Sequence, residues 1–171
     1  MNKFKTFLVL FISFILQTTI FSKIDIFGAN INLLIPATVV LSQVLGKKIG
    51  SYGGLIVGLI EDFLFTNLIG VRALSYFLIG SIVANERFKF SKDKTSGIVL
   101  TFLMTILNFL ILSALYYLIR QQTSFANYLP IPLLIEAILN ALIYLLYKAI
   151  VKKIMYIPTC LLYTSPSPRD V

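Results

Sequence analysis

Long apolar runs separated by short polar segments follow one another along the whole chain. Because one helical crossing of a bilayer needs about 20 mainly apolar residues, we read six crossings from this pattern. Their approximate bounds are Phe7 to Phe21, Ile31 to Leu45, Ile49 to Phe65, Leu68 to Ala84, Gly97 to Ile119 and Ile131 to Ile150. The pattern therefore predicts an all-α integral membrane protein in which residues 1–159 form a single transmembrane helical domain, one six-helix bundle.

The third predicted helix carries a glycine at every fourth position, and this stripe leads to two carboxylates. The residues of the stripe are Gly46, Gly50, Gly54, Gly58 and Asp62, and Glu61 stands beside the last of them. Residues four apart lie nearly above one another on a helix, so the glycines form a smooth groove. Small residues let neighbouring helices approach closely in a bilayer. We therefore expect the stripe, with Gly80 in the fourth helix, to be the packing centre of the bundle.

Composition agrees with a membrane protein and limits the possible chemistry. Hydrophobic residues make up 58% of the chain and charged residues 13%, whereas soluble domains carry about 25% charged residues. Histidine and tryptophan are absent, and Cys160 is the sole cysteine. Disulfides, zinc sites and nucleophile systems that use histidine are thus excluded or nearly so. We expect no catalytic residue, no metal and no cofactor.

Lysine and arginine are distributed unequally between the two sides of the predicted bundle. One side carries eleven, namely Lys3, Lys5, Lys47, Lys48, Arg87, Lys89, Lys92, Lys94, Lys148, Lys152 and Lys153. The other side carries three, namely Lys23, Arg72 and Arg120. Since cytoplasmic loops retain an excess of positive charge, both termini and residues 85–96 should be cytoplasmic, with residues 22–29 and 120–128 outside. The formal charge of +8 is then a mark of topology and does not indicate nucleic-acid binding.

Besides Lys148 at the basic end of the sixth helix, four charged residues fall inside the predicted spans, where they are costly and are by default functional candidates. Asp62 and Arg72 stand on the two arms of a short hairpin, so we predict that they form a charge pair, with Glu61 as the rival partner. A structural role is favoured over catalysis for this pair. Glu136 and Asn140 are four residues apart on the sixth helix and are expected to make interhelical hydrogen bonds.

The last twelve residues differ in character from the rest of the chain. A run rich in serine and proline abruptly follows the basic end of the sixth helix, and residues 160–170 resemble a translated sequencing-library adapter. We interpret residues 160–171 as a non-native tail, which would leave the natural sequence beyond about Thr159 unread. A short disordered tail is the alternative.

The second to fourth predicted spans resemble a known family. The motifs are Ile31 to Ile35, Gly54 to Asp62, Leu68 to Leu74 and Tyr76 to Gly80, with Gly46 and Gly50 before them. An aspartate followed by a short turn and a second helix that ends in glycine is similar to the core pattern of the MreD family of rod shape-determining proteins. That family often opens its second span with Pro-Asp, where this chain has residues 30–32.

The resemblance implies a non-enzymatic scaffold of the bacterial cell-elongation complex, placed in the cytoplasmic membrane as a multi-pass protein. It also implies partners, namely an MreC-like membrane protein and the MreB-linked machinery that supports peptidoglycan synthesis. The sequence itself indicates a compact bundle with few pockets, whose activity is binding.

The alternative is the substrate-binding S component of an energy-coupling-factor vitamin transporter, which the MreD family resembles. Such a binder needs polar and aromatic residues that converge on an outward cavity. The short outer loops and the absence of tryptophan favour the scaffold. A small ion channel would need a charged ring or a carbonyl filter, for which the sequence has no signature.

Overall fold

The computed structural model describes residues 2–85, 94–119 and 130–155 of the chain. Within these ranges it contains six α-helices: α1 Asn2–Thr19, α2 Leu34–Leu45, α3 Lys47–Phe65, α4 Val71–Val83, α5 Lys94–Leu118 and α6 Ile131–Ile154. The predicted helical fold is confirmed. Residues 86–93 of the predicted cytoplasmic segment, the whole outer segment 120–128 and the tail from residue 160 lie outside the described residues.

Helix α2 is the centre of the bundle. Its residues from Leu34 to Ser42 are all buried, and it packs against each of the other five helices. A helix that is buried on every side needs no polar face, which is why the α2 sequence shows little alternation between apolar and polar residues. The other helices are therefore arranged around α2.

Helices α2 and α4 are shorter than the sequence predicts. They contain 12 and 13 residues, or about 18 and 20 Å of helix, against about 30 Å for the hydrocarbon core of a bilayer. The predicted start of α2 at Ile31 is wrong because Asn32 Oδ1 accepts a hydrogen bond from the Leu34 amide at 3.0 Å, which turns the chain before the helix. The predicted start of α4 at Leu68 is wrong because Gly70 adopts a φ of 104°.

In the part of the chain that the structure describes, three helices are long and apolar enough to cross a membrane, namely those in Lys3–Lys23, Thr95–Leu118 and Ile131–Ile154. Helix α3 has 19 residues but carries four charged side chains, two at each end. Large apolar side chains on the outside of the bundle are exposed, as for Phe7, Phe63, Leu110 and Leu146. This distribution is the one expected of a bundle that contacts lipid on its outer surface, while the count of six crossings stays a prediction.

The connection between α1 and α2 contains a small hairpin that the sequence reading treated only as a loop. Its strands are β1 Asp25–Ile26 and β2 Ala29–Asn30, which pair antiparallel. Phe27 and Gly28, the two residues between them, both have positive φ, at 55° and 81°. This is the backbone of a tight two-residue hairpin turn. Strand β2 contacts α6, so the hairpin lies against the start of the bundle's last helix.

Candidate functional site

Helices α3 and α4 pack together at glycines. A Cβ atom added to Gly58 would lie 2.5 Å from Ala73 Cα, and one added to Gly80 would lie 2.8 Å from Ser51 Cα. Both distances are shorter than real Cβ contacts, and the atoms approached belong to backbone. The absence of a side chain is therefore what allows the two backbones to touch.

The same stripe also packs α3 against α2. A Cβ atom on Gly50 would lie 2.5 Å from Ser42 Cα. One on Gly54 would lie 3.1 Å from the Thr38 methyl group and 2.9 Å from the carbonyl oxygen of Tyr76. Gly54 thus faces α2 and α4 at once. Along α3 the stripe lies where three helices approach most closely.

The carboxylate of Asp62 holds the N-terminus of α4. Its Oδ2 atom accepts hydrogen bonds from the backbone amides of Gly70, Arg72 and Ala73 at 2.9, 2.9 and 3.2 Å. The first amides of a helix have no partner within the helix, and a negative charge there is favourable. Asp62 is fully buried, and it caps α4 from the neighbouring helix because the side chain at the cap position, Gly70, is absent.

The predicted charge pair between Asp62 and Arg72 is wrong in its acidic partner. Arg72 Nη1 forms an ion pair and hydrogen bond with Glu61 Oε1, whereas Asp62 meets only the backbone of Arg72. Glu61 and Asp62 differ by about 100° around α3. Asp62 therefore points at the N-terminus of α4, and the longer side chain of Glu61 reaches the guanidinium group of Arg72. Arg72 and Glu61 still join the third and fourth helices.

A chain of hydrogen bonds continues from this ion pair through the bundle. The Tyr76 hydroxyl donates to Glu61 Oε2 at 2.9 Å, and Asn32 Nδ2 donates to the Tyr76 oxygen at 3.0 Å. The Asn32 amide then donates to Asn140 Oδ1 at 3.1 Å, and Asn140 Nδ2 donates to Thr105 Oγ1 at 3.3 Å. The network links α3, α4, α5 and α6 to Asn32, two residues before the start of α2. Buried polar groups that are satisfied in this way fix the arrangement of the elements that carry them.

Three further polar side chains, those of Gln17, Ser75 and Asn108, make hydrogen bonds at the same end of the bundle. Gln17 in α1 donates from Nε2 to the Ile31 carbonyl at 2.8 Å and accepts at Oε1 from the Leu33 amide, also at 2.8 Å. Ser75 in α4 donates to Asn108 Oδ1 in α5 at 2.6 Å. Gln17 thereby satisfies backbone groups in the segment that leads into α2, where neither helix nor strand supplies partners.

Above this network lies a polar cavity of about 690 Å³. Its lining includes Gln17, Asn32, Glu61, Arg72, Tyr76, Asn108, Tyr116 and Glu136. A polar cavity of this size was not expected from the sequence. The cavity is at the end of the bundle predicted to face outside, where α2 and α4 begin. The Arg72 side chain is 31% exposed, so part of its guanidinium is open to the cavity.

The chemistry offered by this cavity is hydrogen bonding. Glu136 is buried and is one of the lining residues. No group of three His, Cys, Asp or Glu side chains placed to hold a metal ion is found in ranges 2–85, 94–119 and 130–155. The lining residues named above supply two carboxylates, one guanidinium, two phenols and three carboxamides, which together can bind a polar ligand or a polar segment of another protein.

Some of these residues escaped the sequence reading. Gln17 and Asn32 are isolated polar residues within or beside apolar runs, and that isolation is the signal that could have identified them. Tyr116 lines the cavity, while Tyr117 is 83% exposed.

Comparison with known proteins places the sequence in a family. Residues 1–163 match the family described as rod shape-determining protein MreD. The comparisons with curated proteins and with solved structures returned no match. The match spans all six helices and includes the glycine stripe, Asp62 and Arg72. The chain therefore belongs to the MreD family of rod shape-determining membrane proteins.

Proposed function

We propose that this protein is a non-enzymatic scaffold of the bacterial cell-elongation complex. Membership of the family gives it a role in rod shape determination, and the family match over residues 1–163 is the observation that carries the proposal. In this role it spans the cytoplasmic membrane several times and assembles with an MreC-like membrane protein. The assembly is linked to MreB and supports peptidoglycan synthesis.

The use of its ionisable groups supports binding over turnover. Asp62 is committed to three backbone amides, and Glu61 to Arg72 and Tyr76. A general acid or base must be able to exchange a proton with a substrate, whereas these contacts join helices to one another. The second oxygen of Asp62, Oδ1, is buried and has no hydrogen-bond partner among the described residues, so it is not open to a substrate. Asn140 is likewise engaged between helices. These contacts are those of a rigid framework.

The proposal is tested by complementation in a rod-shaped bacterium depleted of its own MreD. The chain is expected to restore rod shape, and an MreC-like protein is expected to co-purify with it. A Glu136→Gln variant should complement equally well, because glutamine keeps the size and hydrogen-bonding capacity of the side chain, and a scaffold needs no proton transfer from it. Normal accumulation in the membrane with round cells and no co-purification would show that the proposal is wrong. Loss of complementation by Glu136→Gln alone, with co-purification retained, would point to catalysis.

A second candidate is the S component of an energy-coupling-factor vitamin transporter. The polar cavity favours it, because its volume of about 690 Å³ lies within the range of about 300 to 1,000 Å³ common for small-molecule sites. Binding of labelled vitamins to the purified protein, compared with an Arg72→Gln variant, separates the two. Saturable binding that depends on Arg72 would favour the S component, and the absence of saturable binding would favour the scaffold.

A further inference from the structure

A second concave surface runs between α1 and α3 on the outside of the bundle. It encloses about 400 Å³ and is lined mainly by apolar side chains. Its α1 side consists of Lys3, Thr6, Phe7, Leu10, Phe11 and Phe14. Its α3 side consists of Lys48, Ile49, Tyr52, Gly53, Ile56, Val57 and Ile60. We call this surface the α1/α3 groove.

The floor of the groove is closed and its walls are open. Leu10 and Val57 are buried, at 3% and 6% exposure, whereas Phe7, Tyr52 and Ile56 are more than half exposed. Gly53 keeps the floor low because it has no side chain. The groove therefore has aromatic and aliphatic sides and is open along its length to the surroundings of the bundle.

The length of the groove matches one leaflet of a bilayer. From Lys3 to Phe14 and from Lys48 to Ile60 the helices rise about 17 and 18 Å, while half of the hydrocarbon core measures about 15 Å. The ring centroids of Phe14 and Phe65 lie 6.2 Å apart at the far end. These two rings close the groove near the level of the bilayer midplane, so it does not continue into the other leaflet. A transmembrane helix of a partner would need a surface that continues through both leaflets.

Positive charge lies at one end of the groove only. Lys3 and Lys48 are each the second residue of their helix, both side chains are exposed, and both line the groove. Lysines at helix ends extend their ammonium groups to the level of lipid headgroups. Basic sites between membrane helices on the side of a positive excess bind anionic headgroups.

We infer that the α1/α3 groove binds one anionic phospholipid of the leaflet on the Lys3 side. One acyl chain lies along Leu10, Gly53 and Val57, and the phosphate and its anionic headgroup are held between Lys3 and Lys48. The aromatic walls cover the chain from the sides. This site is separate from the polar cavity and does not depend on which partner the protein scaffolds.

The test is native mass spectrometry of the purified full chain with equal amounts of the anionic lipid POPG and the zwitterionic lipid POPC. We expect one POPG to be retained in preference to POPC. A Lys near the surface contributes about a fivefold preference for anionic lipid. The double variant Lys3→Gln with Lys48→Gln should therefore lower the ratio of bound POPG to bound POPC by about 25-fold.

The matched control is Lys152→Gln with Lys153→Gln. These two lysines are exposed at the end of α6 and do not line the groove, yet their removal changes the net charge equally. The ratio should stay at the wild-type value in this control. An equal fall in both double variants would assign the effect to overall charge, and an unchanged ratio after loss of Lys3 and Lys48 would assign the groove to bulk lipid or to a partner. Either result overturns the inference.

Discussion

Replacing Gly58 with alanine adds a single methyl group at the contact between α3 and α4. The new Cβ would lie 2.5 Å from Ala73 Cα and 2.7 Å from Ala73 N, where ordinary contact begins at 3.4 Å. Both of these atoms are backbone, so no side-chain rotation can relieve the overlap. The two helices must therefore separate by about 1 Å at this level, as small-to-large changes in a close-packed interface require.

The cost of this separation follows from what lies beside it. Overpacking of a tight interior costs about 1 to 3 kcal/mol. The Ala73 amide donates to Asp62 Oδ2 at 3.2 Å, already the longest of the three capping bonds, so separation weakens the cap of α4 as well. For a chain of this size, 1 kcal/mol corresponds to about 2 to 4 °C. We expect Gly58→Ala to melt about 2 to 12 °C below wild type.

The assay is the fraction of protein that stays monodisperse on size exclusion after heating in detergent. The control is Gly53→Ala on the same helix, whose Cβ would lie 2.9 Å from Leu10 Cδ1. That atom ends a flexible side chain that faces the groove, and alanine also favours helix by up to about 1 kcal/mol over glycine. Gly53→Ala should thus melt at or above the wild-type temperature. Equal melting of Gly58→Ala and wild type would refute the close contact of α3 and α4.

Three further predictions concern the charges and the topology. In a double-mutant cycle, Glu61→Gln and Arg72→Gln should show a coupling of about 0.5 to 3 kcal/mol, and strict additivity of their effects on folded yield would contradict the ion pair. Asp62→Asn should lower the folded yield less than Asp62→Ala, because the side-chain amide oxygen of asparagine can still accept hydrogen bonds from the start of α4. Alanine leaves the buried backbone amides unpaired, at a cost of about 1 to 3 kcal/mol. Equal folded yields of the two variants would argue against the cap. In a cysteine-free background, single cysteines in residues 22–29 should react with an impermeant thiol reagent in intact cells, and reaction of cysteines in residues 85–96 would reverse the orientation.

The packing of α3 could be predicted from the sequence because it depends on helical periodicity alone. Glycines four apart must share a face, and in an apolar chain that face has to meet another helix. Gly50 and Gly58 accordingly contact α2 and α4. Which neighbouring helix each glycine contacts depends on the angles at which the helices cross. The spacing of glycines along the sequence carries no information about these angles.

The partners of the two carboxylates could not be predicted in the same manner. Glu61 and Asp62 are adjacent in sequence and both can reach α4, so a difference of one helical step decides between a guanidinium and a row of backbone amides. Backbone amides leave no trace in the residue letters. The prediction paired Asp62 with the nearest charged side chain, whereas its actual partners are backbone amides.

The cavity escaped prediction because it arises from the ends of helices. Helices α2 and α4 have 12 and 13 residues, while α1, α5 and α6 have 18, 25 and 24. Two short central helices beside longer ones leave space at one end, and the polar residues Asn32 and Arg72 at their starts line it. Helix ends are the least reliable part of a reading from sequence, and here they determine the shape of the site.

The glycine stripe and the cavity share the interface between α3 and α4. Gly58 precedes Glu61 by three residues, which is less than one turn of α3, and Ala73, which it contacts, follows Arg72. Any change that separates α3 from α4 at Gly58 must therefore also shift the Glu61 and Arg72 side chains at the cavity. By linkage, a ligand or partner segment that binds the native arrangement of Arg72 stabilises the same helix pair. Packing at the stripe and binding at the cavity are thus coupled through one interface.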